Sequence, residues 1–356
     1  MMTWLMLCVG LVLLVIGADT LVKGAARLAA SFGIPSLVIG LTVVAFGTSA
    51  PELAVSVKAA YAGQAELAIA NVVGSNIFNV LFILGIAAMI TPLIISKQLI
   101  RQDVPIMVFV SLLVVWFVQD GQLSRVECGI LFAGLIIYTG FLFYQGKSQG
   151  ADTTGDDEVA ELLSEKKPMW QSIALVIVGL TLLVLGARWL VQSAIELATA
   201  WGVNEAVIGL TIVAAGTSLP EVVTSIVATI RGERDIAVGN VVGSNIFNIL
   251  CVLGLSGLVS PTPLLAGAQM AALDIPVMVA VAVLCVPFFF VGAILNRFEG
   301  LLFLTCYVVY TWVLIALALQ LDYIDQLKQA VMYGLAPVVI GYVVISLALD
   351  LRRRAQ

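Results

Sequence analysis

The sequence lacks histidine and has few charged residues of either sign. Among its 356 residues there is no His, and Asp, Glu, Lys and Arg together make up 11%. Histidine is the commonest zinc ligand and the commonest proton carrier at neutral pH, so metal or proton chemistry must use oxygen atoms here. No Cys-x-x-Cys motif occurs, and no disulfides are expected, because the five cysteines lie in or beside apolar segments: Cys8, Cys128, Cys251, Cys285 and Cys306.

Apolar residues are in large excess. They make up 61% of the chain, and the mean hydropathy is +1.11. Only a membrane protein can turn so much apolar surface outward, toward hydrocarbon. Residues 1–16 contain neither a basic segment nor an A-x-A cleavage site, so the first apolar segment is expected to be a retained span. The composition predicts an all-α polytopic membrane protein, and no basic cluster indicates a nucleic-acid partner.

Apolar segments of about 20 residues predict eleven membrane spans. The expected spans are 3–29, 36–61, 66–91, 102–119, 125–145, 168–198, 205–230, 235–260, 271–293, 298–320 and 330–350. Six of the 22 acidic residues lie between Asp152 and Glu165, so 146–167 is expected to be an acidic cytoplasmic linker. It separates a first half, 1–145, from a second, 168–320. Residues 321–356 are expected to add the eleventh span and a basic tail.

Lys and Arg residues are distributed unevenly between the two sides of the predicted bundle. With the N-terminus outside, only three lie on the outer side, namely Lys58, Arg125 and Lys328. Thirteen lie on the inner side: Lys23, Arg27, Lys97, Arg101, Lys147, Lys166, Lys167, Arg231, Arg234, Arg297, Arg352, Arg353 and Arg354. Because positively charged loops tend to remain in the cytoplasm, this bias predicts an inner-membrane protein with its N-terminus outside and its C-terminus cytoplasmic.

An internal repeat relates the two halves. Residues 39–52 (IGLTVVAFGTSAPE) match 208–221 (IGLTIVAAGTSLPE) at 11 of 14 positions. Residues 71–85 match 240–254 at 12 of 15 positions, with the same offset of 169 residues. Each copy contains five predicted spans, and an odd number inserts the second copy upside down. We therefore predict two inverted five-helix repeats, or ten core helices, whose central segments are 36–85 and 205–254.

Each repeat places one glutamate deep in an apolar segment. Glu52 is the only acid in 36–64, and Glu221 is the only charged residue in 206–230. A carboxylate near the middle of a bilayer is costly, so such a residue is expected to bind a cation or a proton. Two such residues in matching motifs favour a functional site.

The alternative is a structural ion pair between a glutamate and a nearby base. Lys58 and Arg188 are the candidate bases. The repeat makes Asp19 and Arg188 equivalent positions, which favours Asp19 as the partner of Arg188 and leaves the glutamates unpaired.

The residues before each glutamate offer further oxygen ligands. Pro51 and Pro220 have no N–H group, which bends the helix and loosens carbonyls one turn earlier. The affected carbonyls are those of Gly47, Thr48, Gly216 and Thr217, and the hydroxyls are those of Thr48, Ser49, Thr217 and Ser218. Ca²⁺ binds about six to eight oxygens from carboxylates, carbonyls and water. Two carboxylates also neutralise one Ca²⁺, which limits the cost of a dry site.

A second motif, GSNIFN, recurs at 74–79 and 243–248. Ser75 and Asn79 lie four residues apart on one helix face, as do Ser244 and Asn248, and they offer neutral oxygens suited to Na⁺ or to the edge of a Ca²⁺ site. Helix packing is the alternative role for Gly74, Asn76, Gly243 and Asn245, and the expected role for Ser56, Thr224 and Ser225. Asp103-x-Pro105 and Asp274-x-Pro276 are expected to be structural helix starts.

With these duplicated motifs, the sequence resembles the Ca²⁺/cation antiporter superfamily, and in particular its prokaryotic Na⁺/Ca²⁺ exchangers. The resemblance implies ten spans, a central four-ligand site and alternating access by sliding of the first and sixth spans. It implies Ca²⁺ binding by Glu52 and Glu221 with the carbonyls of Thr48 and Thr217. Sodium sites would use Ala45, Thr48, Ser49 and Ser75 on one side and Ala214, Thr217, Ser218 and Ser244 on the other, while Asn79 and Asn248 complete the centre.

The transported ions implied are Ca²⁺ and Na⁺, with no cofactor and a monomeric transport unit. Ca²⁺/H⁺ exchange by the same two glutamates is the alternative, although Asn71 and Asn240 are not followed by the glutamate usual in proton-coupled relatives. With Asn at both 79 and 248, the site carries a formal charge of −2. A cation channel is a remote alternative. An enzyme is not expected, because no Ser-Lys pair, paired-Asp motif or cofactor loop occurs.

Overall fold

Long apolar helices make up most of this computed structural model, which describes residues 2–149, 168–203, 208, 212 and 214–355. The helices are α1 (Met2–Phe32), α2 (Ser36–Thr48), α3 (Ala50–Tyr61), α4 (Ala65–Ile90), α5 (Leu99–Asp120), α6 (Arg125–Ser148), α7 (Met169–Ala200), α8 (Leu219–Ile230), α9 (Arg234–Val259), α10 (Met270–Phe290), α11 (Arg297–Ala318) and α12 (Ile324–Arg352). In the described part of the chain, nine single helices are long and apolar enough to cross a membrane, and α2 with α3 forms a bent tenth.

This architecture confirms the predicted all-α polytopic membrane fold, including the extra C-terminal helix α12. The predicted seventh span, 205–230, is described mainly by α8, and most of its first half lies outside the described residues. The predicted linker 146–167 also lies largely outside them, and α6 continues past residue 145. The boundaries proposed for the two halves remain a prediction.

The two glutamate motifs lie where helices break. α2 and α3 meet at an angle of 46°, with Ser49 between them at φ −79° and ψ 5° and Pro51 in the first turn of α3. Ser218 has nearly the same dihedral angles, φ −86° and ψ 7°, directly before α8. Glu52 and Glu221 therefore both lie in the first turn of a short helix, where the helix dipole favours negative charge.

Helices α4 and α9 occupy the centre of the bundle, and two short β-pairs join the halves at opposite ends. The most apolar segment of α9 is buried along its whole length, and most of the corresponding segment of α4 is buried. Strand β1 (Leu93–Ile94) pairs antiparallel with β4 (Ile294–Leu295), and β2 (Gln122–Leu123) pairs antiparallel with β3 (Leu264–Leu265). The matching 240–254 and 71–85 segments thus lie together in the interior.

Helices α1 and α7 pack antiparallel at very close range through glycines spaced seven residues apart. A Cβ atom added to Gly17 would lie 2.9 Å from the carbonyl oxygen of Gly179, and one added to Gly10 would lie 2.9 Å from that of Gly186. Helices in lipid associate largely by such close packing of small residues. These contacts hold α1 and α7 together as one pair.

The antiparallel packing overturns one sequence-based expectation. Because Gly17 lies beside Gly179 and Gly10 beside Gly186, Asp19 and Arg188 are at different levels of the α1–α7 pair. Asp19 instead forms ion pairs with Lys23, at 2.8 Å, and with Arg231, which follows α8. The predicted Asp19–Arg188 pair is therefore wrong.

Asp103 and Asp274 do not cap helices, contrary to the expected helix-start role. α5 and α10 begin with π-helical turns at Leu99–Asp103 and Met270–Asp274, so both aspartates lie inside their helices. The Tyr138 hydroxyl donates to Asp103 Oδ1 at 3.1 Å, and the Tyr310 hydroxyl donates to Asp274 Oδ1 at 2.7 Å. Each aspartate thus joins consecutive helices, α5 to α6 and α10 to α11.

Helix α12 lies at the periphery, and Tyr342 is one of its contacts with the bundle. The Tyr342 hydroxyl donates to Glu299 Oε1 at 3.1 Å, and its ring lies 5.8 Å from that of Phe288 and 5.3 Å from that of Phe298. Most of the remaining surface of α12 is exposed. In a bilayer this surface would contact lipid.

Candidate cation-binding site

The two glutamates belong to one buried hydrogen-bond network that crosses between the halves. Ser49 Oγ donates to Glu221 Oε1 at 2.9 Å, and Ser218 Oγ donates to Glu52 Oε1 at 2.8 Å. Ser218 Oγ also lies 3.1 Å from Ser75 Oγ. The side chains of both glutamates, Ser49 and Ser218 are almost completely buried. Each carboxylate is thus oriented by the serine that precedes the other one.

Two further asparagines connect the broken helices to each other. Asn240 Nδ2 donates to the carbonyl of Glu221 at 3.4 Å, while Asn240 Oδ1 accepts from the Thr48 hydroxyl at 3.0 Å. In the same way, Asn71 Nδ2 donates to the carbonyl of Glu52 at 3.2 Å, and its Oδ1 accepts from the Thr217 hydroxyl at 3.4 Å. Each asparagine therefore holds the backbone of one glutamate and a threonine of the opposite half.

Several acceptor oxygens in this network have no partner among the described residues. Glu52 Oε2, Glu221 Oε2, Asn79 Oδ1 and Asn248 Oδ1 are buried without a hydrogen bond, and so is the Ser244 hydroxyl. A buried oxygen without a partner costs about 1–3 kcal/mol, and more when it is charged. Their chemistry fits a hard cation, which binds carboxylate and amide oxygens.

Among the described residues, neither Glu52 nor Glu221 forms an ion pair with Lys or Arg. The structural alternative, a glutamate paired with Lys58 or Arg188, therefore has no support there.

The two alanines predicted as ligands precede the helix breaks. The carbonyl oxygen of Ala45 accepts from the N–H of Ser49 at 3.0 Å and from the Thr48 hydroxyl at 3.3 Å. Ala214 begins the short helix Ala214–Gly216, directly before Thr217.

Sequence reasoning missed the role of Asn71 and Asn240 and assigned two of their partners, Ser56 and Ser225, to packing. Asn71 Nδ2 donates to Ser56 Oγ at 2.9 Å, and Asn240 Nδ2 donates to Ser225 Oγ at 2.9 Å. The available signal was that both asparagines lie inside the duplicated segments at the offset of 169 residues. A repeat identifies equivalent positions in the two halves, but it does not show which residues these positions contact.

Comparison with known families agrees with this geometry. The sequence matches the family described as "Sodium/calcium exchanger protein" over residues 2–144 and 171–316. The chain belongs to the sodium/calcium exchanger family. The two matched regions fall on either side of the predicted linker, and helix α12 lies beyond them.

Relatives of this exchanger-family chain align over most of its length. It is 38% identical over 309 residues to the putative antiporter CaxA of Alkalimonas amylolytica, covering 86% of this chain and 96% of that protein. It is 35% identical to the sodium/calcium exchanger MaX1 of Methanosarcina acetivorans, covering 87% and 98%. A solved structure of the sodium-calcium exchanger NCX_Mj matches with a TM-score of 0.74 at 31% identity, covering 89% and 97%.

Proposed function

We propose that this protein exchanges Ca²⁺ for Na⁺ across the membrane by alternating access. The supporting observation is a set of four buried oxygens that have no hydrogen-bond partner in the described part of the chain, namely Glu52 Oε2, Glu221 Oε2, Asn79 Oδ1 and Asn248 Oδ1. Each half contributes one carboxylate and one amide, an all-oxygen donor set that suits Ca²⁺ and Na⁺. Thr48, Thr217, Ser49, Ser218, Ser75, Ser244, Ala45 and Ala214 are the proposed supporting ligands. Because both ions compete for the same oxygens, one must leave before the other binds.

Alternating access is supported by an asymmetry between the halves. α1 packs along α8, whereas the equivalent contact between α7 and α3 is nearly absent in the described residues. α8 ends on the side of the molecule opposite the N-terminus, and α3 ends on the N-terminal side. We infer from this difference that the α1–α7 pair is closed against one side and open toward the other, where Val55 of α3 is exposed. Moving this pair would reverse which side is open.

The ion pair between Asp19 and Arg231 closes the end of the bundle opposite the N-terminus. Asp19→Asn or Arg231→Gln is expected to destabilise this closed end by about 1 kcal/mol, because both side chains are partly exposed. The fraction of molecules in the conformation that is open on the N-terminal side would fall up to about fivefold. The thiol introduced by Val55→Cys, in a protein that also carries Cys8→Ser, should therefore react more slowly with a thiol reagent added from the outside.

The control for this prediction is Asp325→Asn, which removes the acid of the exposed Lys328–Asp325 pair at 4.0 Å on α12. That variant should label at the wild-type rate. Unchanged or faster labelling in both Asp19→Asn and Arg231→Gln would contradict a closing role for the ion pair.

The exchanged ion is tested by ⁴⁵Ca²⁺ uptake into proteoliposomes that contain either an outward Na⁺ gradient or an outward H⁺ gradient without Na⁺. We expect uptake driven by Na⁺ alone. Uptake driven by H⁺ alone would identify Ca²⁺/H⁺ exchange and make Glu52 and Glu221 proton carriers. Single-channel currents without a coupled gradient would identify a channel.

The proposed setting is the inner membrane, with the N-terminus outside, the C-terminus cytoplasmic and a monomer as the transport unit. The support for this orientation is the excess of Lys and Arg on one side of the bundle. In this orientation the open side of the α1–α7 pair faces outward. Reporter fusions after residue 33 and after residue 63 should therefore be found on opposite sides of the membrane.

A further inference from the structure

The side chain of Asn240 bonds to groups of both halves of the protein. Its Nδ2 donates to the carbonyl oxygen of Glu221 at 3.4 Å and to Ser225 Oγ at 2.9 Å, both in its own half. Its Oδ1 accepts from the Thr48 hydroxyl of the other half at 3.0 Å. All four residues are fully buried. Asn240 therefore connects the helix that carries Glu221 to a threonine that precedes Glu52.

A backbone carbonyl fixes the direction of the hydrogen bond between Thr48 and Asn240. A carbonyl oxygen can only accept, so the amide atom of Asn240 that faces the carbonyl of Glu221 must be its nitrogen. Ser225 supports this orientation, because its hydroxyl donates to the carbonyl of Ala237 at 3.4 Å and accepts from Asn240. The amide oxygen then faces Thr48 and cannot donate. The Thr48 hydroxyl must therefore direct its hydrogen at Asn240.

This direction leaves acceptor oxygens of the site free. The Thr48 hydroxyl also lies 3.3 Å from the carbonyl oxygen of Ala45, which already accepts from the N–H of Ser49 at 3.0 Å. A carbonyl oxygen has two lone pairs, and a hydroxyl has one hydrogen. While the hydrogen of Thr48 points at Asn240, the second lone pair of Ala45 stays available. Thr48 and Ala45 are both proposed ligands, so Asn240 keeps lone pairs on both oxygens for a cation.

Asn71 repeats this arrangement in the other direction. Its Nδ2 donates to the carbonyl oxygen of Glu52 at 3.2 Å and to Ser56 Oγ at 2.9 Å. Its Oδ1 accepts from the Thr217 hydroxyl at 3.4 Å. By the same reasoning, the carbonyl of Glu52 fixes the amide, and the amide fixes the hydrogen of Thr217. Each half thus orients a threonine hydroxyl of the opposite half.

We propose that Asn71 and Asn240 are positioning residues for Na⁺ binding. Each draws the hydroxyl hydrogen of a threonine in the opposite half away from the site, so that lone pairs face the cation. Ca²⁺ depends less on these neutral oxygens, because the charges of Glu52 and Glu221 dominate its binding. The inference rests on the proposed exchange of Ca²⁺ for Na⁺, and it adds residues that act on Na⁺ affinity through Thr48 and Thr217 without contacting the ion.

The test is a double-mutant cycle on the Na⁺ concentration that gives half-maximal ⁴⁵Ca²⁺ flux in proteoliposomes. Asn240→Ala lets the Thr48 hydrogen turn to the carbonyl of Ala45, whereas Thr48→Val leaves no hydrogen to turn. The lost bonds to Glu221 and Ser225 are common to both backgrounds and cancel in the comparison. We expect Asn240→Ala to raise this Na⁺ concentration about fivefold more in the wild type than in Thr48→Val, the effect of about one hydrogen bond.

Two controls separate positioning from general damage. Asn71→Ala combined with Thr48→Val is a mismatched pair, because Asn71 bonds to Thr217. The effects of these two changes should multiply to within about twofold. Serine in place of valine at position 48 returns the hydroxyl and should restore the coupling to Asn240. In Asn240→Ala, the Ca²⁺ concentration for half-maximal Ca²⁺ self-exchange without Na⁺ should change less than the Na⁺ concentration.

The possible outcomes separate this inference from the proposed function. Equal effects of Asn240→Ala in the two backgrounds, with Na⁺-driven flux in the wild type, would overturn the inference alone. An equal shift in the Ca²⁺ dependence of self-exchange would do the same. Wild-type Ca²⁺ flux that no Na⁺ gradient drives would overturn the proposed function and the inference with it. If Asn240→Ala does not fold, the same cycle on Asn71 and Thr217 decides by the same criterion.

Discussion

Replacing Glu52 or Glu221 by glutamine is expected to reduce Ca²⁺ transport at least about a hundredfold. Glutamine keeps the shape of the side chain and can still accept from Ser218 or Ser49, so the hydrogen bonds at 2.8 and 2.9 Å can persist. What is lost is one of two charges in a buried site, and removing one partner of a buried charge interaction costs about 3–5 kcal/mol. The measurement is ⁴⁵Ca²⁺ flux in proteoliposomes at matched protein content.

The same substitutions are expected to leave the cation-free protein as stable as the wild type, or more stable. A buried carboxylate oxygen without a partner is costly, and neither Glu52 Oε2 nor Glu221 Oε2 has a partner among the residues that the structure describes. Ca²⁺ at about 100 times its Kd should stabilise the wild type by about 2.7 kcal/mol, but should hardly stabilise the variants. Thermal unfolding with and without Ca²⁺ therefore separates loss of binding from loss of folding.

The matched control is Glu196→Gln, which changes an exposed glutamate that accepts from Thr3 at 3.0 Å. It should keep wild-type flux and wild-type stabilisation by Ca²⁺. Near-normal flux in both Glu52→Gln and Glu221→Gln would show that the cation binds elsewhere. Low flux with normal stabilisation by Ca²⁺ would place the defect in the transport cycle instead of the site.

The part of the site that could be predicted from sequence is the part that local chemistry determines. Proline lacks the N–H group that would bond to the preceding turn, so interruptions of the helix directly before Glu52 and Glu221 could be expected from Pro51 and Pro220. A lone carboxylate in an apolar segment is costly in any membrane fold. The all-α fold follows in the same way, since every backbone polar group in lipid must be paired internally.

The part that could not be predicted depends on which side chains meet across the halves. Asn71 and Thr217 are 146 positions apart in sequence, and Thr48 and Asn240 are 192 apart, so no local spacing signals either contact. The Asp19–Arg188 expectation failed for the same reason. The repeat shows that two positions are equivalent, but only the antiparallel packing of α1 on α7 decides which residues are level with each other.

Gly179→Ala is expected to lower the free energy of unfolding by about 1–3 kcal/mol and to impair transport strongly. A Cβ atom at this position would lie 2.6 Å from the backbone nitrogen of Leu21 and 2.8 Å from the carbonyl oxygen of Gly17. Backbone atoms cannot rotate away, so α1 and α7 must move apart. Thermal unfolding in detergent and Ca²⁺ flux would both report the change, and Gly140→Ala, with no described atom within 4 Å, is the control.

A rescue experiment distinguishes backbone contact from side-chain contact. Leu21→Ala should not restore Gly179→Ala, because the close atoms of Leu21 belong to its backbone. At Gly47 the situation differs, since the three atoms nearest to an added Cβ all belong to the side chain of Leu180, the closest being Cδ2 at 2.5 Å. Leu180→Ala should therefore restore Gly47→Ala. Rescue of Gly179→Ala by Leu21→Ala would contradict the backbone contact, and with it the description of α1 and α7 as one closely packed pair that moves as a unit.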